Sequence, residues 1–194
     1  MPNSAAKEET APAQRTAKIL FEALKFAVVA LVVVTPFRLF VAQPFIVSGA
    51  SMSPTIDPHE YLVIDKMSYR LHAPSRGDVV IFRYPLDTSV YFIKRIIGVP
   101  GETVIISDRG VRVRTQDGAS RTLTEPYLAS SSDLGKASTT TLAEDEYFLL
   151  GDNRAASSDS RVWGPLPKKY IVGRAVLSLF PLRDVAILPG AYSL

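Results

Sequence analysis

Residues 26–42 carry 14 apolar residues in 17, broken only by Thr35, Pro36 and Arg38, and the first nine run without interruption. No polar face is left for water, so the pattern predicts a transmembrane anchor over 17–43. Lys25 and Arg38 can snorkel outward and lengthen the span. A buried core helix and a cleaved secretory signal are the other readings of this stretch. The second draws on Ser48-Gly49-Ala50, whose small residues suit a cleavage site that would leave Ser51 as a new N-terminus. Residues 1–16 are polar, rich in Ala, Pro, Thr and Glu, and read as a disordered tail.

From residue 44 onward the pattern changes. Short runs rich in Val, Ile, Tyr and Phe at 61–64, 78–82, 91–97, 103–106, 147–150 and 171–180 are separated by Pro, Gly, Asp and Asn. This spacing predicts a mainly β domain over 44–194. Residues 107–141 are polar and rich in Ser, Thr and Gly, with one strand signal at 111–114. They read as an inserted hairpin or small subdomain with no catalytic role.

Composition narrows the chemistry. The 194 residues hold no cysteine, which removes thiol nucleophiles, thiolate metal sites and disulfides. The two histidines, His59 and His72, match no metal-binding spacing, so no metal or cofactor is expected. Twenty-two basic against 19 acidic residues give a formal charge of +3. No nucleic-acid partner is expected, and the chain is read as a monomer. Arg15, Lys18 and Lys25 precede the apolar segment, and no basic residue lies between Arg38 and Lys66. By the positive-inside rule the N-terminus faces the cytoplasm and the β domain is exported.

Three constellations could carry a reaction. The first, VSGASMSPTI at 47–56, puts Ser51 close after the apolar segment. A serine hydroxyl needs a base, and both histidines lie in unsuitable loops, which leaves lysine. The second, YFIKRIIGVPGE at 91–102, places Lys94 on one strand face with Phe92 and Ile96, and Arg95 on the other with Ile93 and Ile97. Burial there would depress the lysine pKa; the competing reading is an edge-strand lysine that snorkels to water. Arg95 cannot deprotonate and calls for an acid. The third, GDNRAASSDSRVWG at 151–164, alternates Asp152, Arg154, Asp159 and Arg161. It reads either as a solvated loop or as a bonded shelf beside an active site, with Asp152 as the partner of Arg95.

SGASMSPT, RGDVVIF at 76–82, FIKRIIGVPGE and GDNRAASSDSRVWG stand in the order found in the bacterial type I signal peptidases, and the chain resembles that family from about Phe37 to Leu182. The resemblance implies a membrane-anchored serine endopeptidase of the bacterial cytoplasmic membrane that removes signal peptides from preproteins emerging from the export machinery. It implies Ser51 as nucleophile, Lys94 as general base, Ser157 as the hydroxyl that orients Lys94, and an Asp152–Arg95 ion pair supported by Asp159 and Arg161. Some members carry a serine two residues before the nucleophile that helps hold the oxyanion; here Gly49 stands in its place. Pockets formed by Phe45, Val47, Met52, Ile56, Leu62, Ile81 and Ile93 are expected to take alanine at the positions one and three before the cut. Other functions open to this pattern are an inactive membrane-anchored β domain that binds extended peptides, and a Ser/Lys peptidase dedicated to one conjugation or organelle-type substrate.

Overall fold

The structure is a computed structural model that describes residues 10–36, 42–128, 134–181 and 185–190. It divides after residue 41 into two compact units.

The first unit holds helix α1 (Thr10–Pro36). It begins inside the stretch expected to be disordered, of which residues 1–9 lie outside the described residues. Its side chains from 15 to 35 are exposed, with only Ala30 partly covered. Among the described residues no helix is long and apolar enough to cross a membrane. Lys18, Glu22 and Lys25 interrupt the apolar character of α1, and Lys25 lies 3.6 Å from Glu22. Of the anchor expected over 17–43, α1 covers 17–36. It stops at Pro36, residues 37–41 lie outside the described residues, and Ala42 already belongs to a strand.

The second unit is antiparallel β. Its strands are β1 (Ala42–Ile46), β2 (Tyr61–Asp65), β3 (Val79–Tyr84), β4 (Asp87–Gly98), β5 (Thr103–Ser107), β6 (Gly110–Arg114), β7 (Ser120–Thr122), β8 (Ser138–Thr141), β9 (Glu146–Leu150), β10 (Leu166–Pro167), β11 (Ile171–Phe180) and β12 (Ala186–Ile187). Among the described residues, one sheet runs β1-β2-β11-β3-β4-β9-β10 with β12 beside β11, and a second runs β7-β6-β5-β8. Where an inserted hairpin or small subdomain is expected over 107–141, the second sheet has four strands and also takes in β5, which begins before that stretch. Its Val104, Ile106, Val111 and Val113 share one core cluster with Ile97, Phe148 and Leu150 of the main sheet.

The strand that carries Lys94 is not an edge. β4 lies between β3 and β9, with Lys94 opposite Val80, and with Arg95 opposite Val79 on one side and Leu150 on the other. Its first half is mostly exposed, whereas every residue from Ile93 to Gly98 is buried. Ile93 enters a cluster with Met52, Ile56, Leu62 and Ile81. Ile96 enters another with Val80, Phe82 and Leu149, against which Phe92 and Trp163 pack. A strand covered on both faces reads as a continuous apolar run, as 93–97 does but for its two cations.

β11 stitches β2 to β3 and approaches closely at Gly173, where a Cβ would fall 2.3 Å from the Asp65 carbonyl oxygen. Backbone cannot yield there as a flexible side chain would. Gly173→Ala should therefore lower unfolding free energy by about 1–3 kcal/mol, read as a shifted urea midpoint with an unchanged slope.

Candidate active site

Ser51 sits in the loop between β1 and β2. The neck of that loop is closed by Val47 N–H to Glu60 O and His59 N–H to Val47 O, both 2.9 Å. The buried Glu60 carboxylate accepts from Asp57 N–H at 2.7 Å and from Ser178 Oγ at 2.6 Å. Past Ser51 the chain turns sharply, with Thr55 and Ile56 N–H donating to Met52 O at 2.9 and 3.1 Å. Met52 and Ile56 are fully buried and plug the loop into the core. From the other side Asn153 donates its N–H to Ser51 O at 3.0 Å and its Nδ2 to Ala50 O at 3.1 Å.

Lys94 reaches this serine from β4. Its Nζ donates to Ser51 Oγ at 2.7 Å and to Ile93 O at 2.9 Å, and the residue is 3% exposed. Burial pushes the Lys94 pKa down to about 8, against the opposing pull of the Asp159 and Asp152 carboxylates. A large share of such an amine is neutral at mildly alkaline pH, and it is in hydrogen-bond reach of a hydroxyl. That geometry can remove a proton from Ser51.

The 151–164 stretch is a bonded shelf. Arg95 donates Nε to Asp152 Oδ1 at 2.9 Å and Nη2 to Oδ2 at 2.5 Å, and neither side chain of the pair has any solvent exposure. Arg95 Nη1 also donates to Gly77 O at 2.9 Å. Arg161 grips Asp159 with Nε at 2.8 Å and Nη2 at 2.9 Å, and Gly151 N–H donates to the same carboxylate at 3.1 Å. Asp159 also accepts from Arg161 N–H at 3.2 Å, which opens helix α2 (Ser160–Trp163).

One expected contact is not made. Ser157 does not hydrogen-bond Lys94; its Oγ is buried and has no hydrogen-bond partner among the described residues. The short helical turn over Arg154–Ala156 ends at Ser157 in an extended conformation. The hydroxyl then packs over Gly151, where a Cβ would lie 2.2 Å from it.

Beside Ser51 and Lys94 opens a cleft of about 270 Å³. Phe45, Val47, Ile81 and Ile93 line it, as expected, together with Tyr91, Phe92, Gly49 and Ala156. Met52, Ile56 and Leu62 do not. All three are fully buried in the core cluster behind the cleft wall, because the turn after Ser51 and the inward face of β2 direct them away from solvent.

Four residues escaped the reading of the sequence. Gly151 is required by proximity, since a Cβ there would also meet Ser51 O at 2.5 Å. Asn153 ties the shelf to the serine loop. Glu125 and Tyr127, from the stretch given no catalytic role, reach Arg154 and Arg95. Their only signal was an acid, a proline and an aromatic after Leu123 in an otherwise small and polar run.

The model of the family "Signal peptidase, peptidase S26" matches residues 20–180. A probable signal peptidase I-2 from Synechocystis sp. is 35% identical over 190 residues, covering 94% of this chain and 82% of its own. Signal peptidase I of Leptolyngbya laminosa is 34% identical over 200 residues, 95% of both chains. Signal peptidase I of Bacillus licheniformis is 32% identical over 176 residues, covering 86% of this chain and 91% of its own.

The fully buried Arg95–Asp152 pair carries a stability consequence. Asp152→Ala leaves a buried guanidinium without its counter-charge and should cost about 3–5 kcal/mol in chemical denaturation. Gly151→Ala should cost less in the same measurement, about 1–3 kcal/mol, because its clash is partly with the movable Ser157 side chain.

Proposed function

Because the chain belongs to the S26 family of signal peptidases and is a serine peptidase, we propose that Ser51 is its nucleophile and Lys94 its general base. The observation that carries this reading is the 2.7 Å contact between a lysine 3% exposed and the Ser51 hydroxyl. Neutral Lys94 takes the Ser51 proton as Oγ attacks the scissile carbonyl. The protonated amine then gives that proton to the leaving amine, and an acyl ester remains on Ser51. Water activated by Lys94 hydrolyses the ester and regenerates both groups.

Gly49 has a φ of +92° and brings no side chain, so we assign one oxyanion donor to the Ser51 backbone N–H and none to position 49. Ser157 acts by packing against Gly151 in this reading. Asp152 and Asp159 hold Arg95 and Gly151, and thereby the floor on which Lys94 and Ser51 meet.

The substrate is the signal peptide of an exported preprotein, laid as an extended strand along the cleft. Phe45, Val47, Ile81 and Ile93 leave room for small side chains at the positions one and three before the cut. The exposed apolar end of α1 supports attachment to the bacterial cytoplasmic membrane, on the face where exported preproteins emerge.

In cleavage of a preprotein with alanine at both positions, Ser51→Ala and Lys94→Ala should each lose at least about 1,000-fold in kcat while remaining folded. Substantial residual activity in either variant counts against the dyad. Because the working base is the neutral amine, kcat/KM should rise with pH and level off above the Lys94 pKa of about 8. Below it the rate should fall about tenfold per pH unit, and a profile flat from about pH 6 to 9 argues against this base.

A further inference from the structure

We propose that Glu125 and Tyr127, on the segment after β7, are positioning residues for the Ser51–Lys94 pair; the inference rests on the dyad reading above. Two buried arginines stand behind that pair. Arg95 follows Lys94 on β4, and Arg154 donates Nε to Gly151 O at 3.0 Å. Both meet the 123–128 segment. The Tyr127 ring lies over the Arg95 guanidinium with the centroid 3.9 Å from Cζ. Glu125 accepts from Arg154 Nη2 and, at 3.3 Å, from Nη1. Tyr127 OH donates to Glu125 Oε1 at 2.7 Å, which makes one unit of the acid and the phenol.

This unit is held from outside the catalytic motifs. Leu123 N–H donates to Val111 O at 2.9 Å, and the Leu123 side chain joins the core cluster that contains Ile97 and Leu150. The small sheet therefore fixes Glu125 and Tyr127 independently of the shelf they touch.

The contacts pass to the nucleophile in short steps. Glu125 orients the Arg154 fork, Arg154 holds Gly151 O, and Gly151 packs against Ser51 O too closely to admit a Cβ. Arg154 O also accepts from Arg161 Nη2 at 2.7 Å, so a shift of Arg154 reaches the Asp159 pair as well. Neither Glu125 nor Tyr127 lines the cleft. Their loss should misplace the reacting atoms and leave substrate binding intact, which separates a positioning role from a binding one.

The test is steady-state cleavage of a synthetic signal-peptide substrate by the full chain in detergent. Glu125→Gln should lower kcat by about 10- to 100-fold with KM unchanged within about twofold. Tyr127→Phe keeps the ring on Arg95 and loses only the hydroxyl, so it should fall less. The double variant should be no slower than Glu125→Gln alone, since the hydroxyl acts through the carboxylate. If circular dichroism finds Glu125→Gln unfolded, Tyr127→Phe is read by the same kcat and KM comparison. A folded variant with the kcat of the parent, or a fall in kcat matched by a proportional rise in KM, overturns the proposal. Failure of the dyad itself would look different, as activity in Ser51→Ala or Lys94→Ala. Failure of the positioning role leaves those two inactive and Glu125→Gln fully active.

Discussion

Placing two adjacent cations inside a sheet is the constraint around which this domain is organised. Lys94 and Arg95 occupy neighbouring positions of a strand that has a partner on each side and a core cluster against each face. Desolvating a cation is expensive, and the two side chains meet that cost differently because their chemistry differs. Guanidinium stays charged, so Arg95 must be given a carboxylate, and the bidentate contact with Asp152 supplies it. Ammonium can release its proton, so Lys94 needs no dedicated counter-ion, and its pKa falls instead. The same burial that would be a defect in a structural lysine holds this amine, neutral in good part at mildly alkaline pH, within hydrogen-bond reach of a hydroxyl.

The remainder of the site follows from holding those two residues still. The serine loop is plugged into the core by Met52 and Ile56 and tied to the shelf by Asn153. The shelf is tied to itself by Arg161 on Asp159 and by Arg154 on Gly151. At Gly151 the approach is so close that only a hydrogen fits where a side chain would be. Ion pairs of this kind contribute geometry more than stability, since a buried pair barely offsets its own desolvation. The second sheet then gains a meaning beyond insertion. It shares a core cluster with the main sheet and brings an acid and an aromatic ring against the two arginines.

Much of the site was legible along the chain, for a physical reason in each case. Alternation on β4 separated Lys94 from Arg95, and the need of a permanently charged guanidinium for an acid pointed to Asp152 in the 151–164 loop. The absence of thiols and of well-placed imidazoles left a hydroxyl and an amine as the available chemistry. Strand runs at 61–64, 103–106, 147–150 and 171–180 were visible because β-branched and aromatic residues clustered between turn formers. The short strands β7, β8, β10 and β12 carried no such signal, as two to four residues cannot show a period. The pocket assignment failed at Met52, Ile56 and Leu62 because an apolar residue near a nucleophile looks the same in sequence whether it walls a cleft or fills the core behind it.

What the sequence determined by itself is the chemical inventory and its order: a serine in a Gly/Pro-flanked loop, a lysine in an apolar strand, and an acid–arginine loop, set in a β domain after an apolar helix. Those are local properties, written in residue type and spacing. Only the tertiary structure decided that β4 is central and not an edge, that Ser157 packs over Gly151 instead of reaching Lys94, and that Glu125 and Tyr127 stand behind the arginines. Each of these depends on contacts between residues from 6 to 32 positions apart or on strand order. Strand order and long-range contacts are set by how the core closes, and no local pattern encodes them.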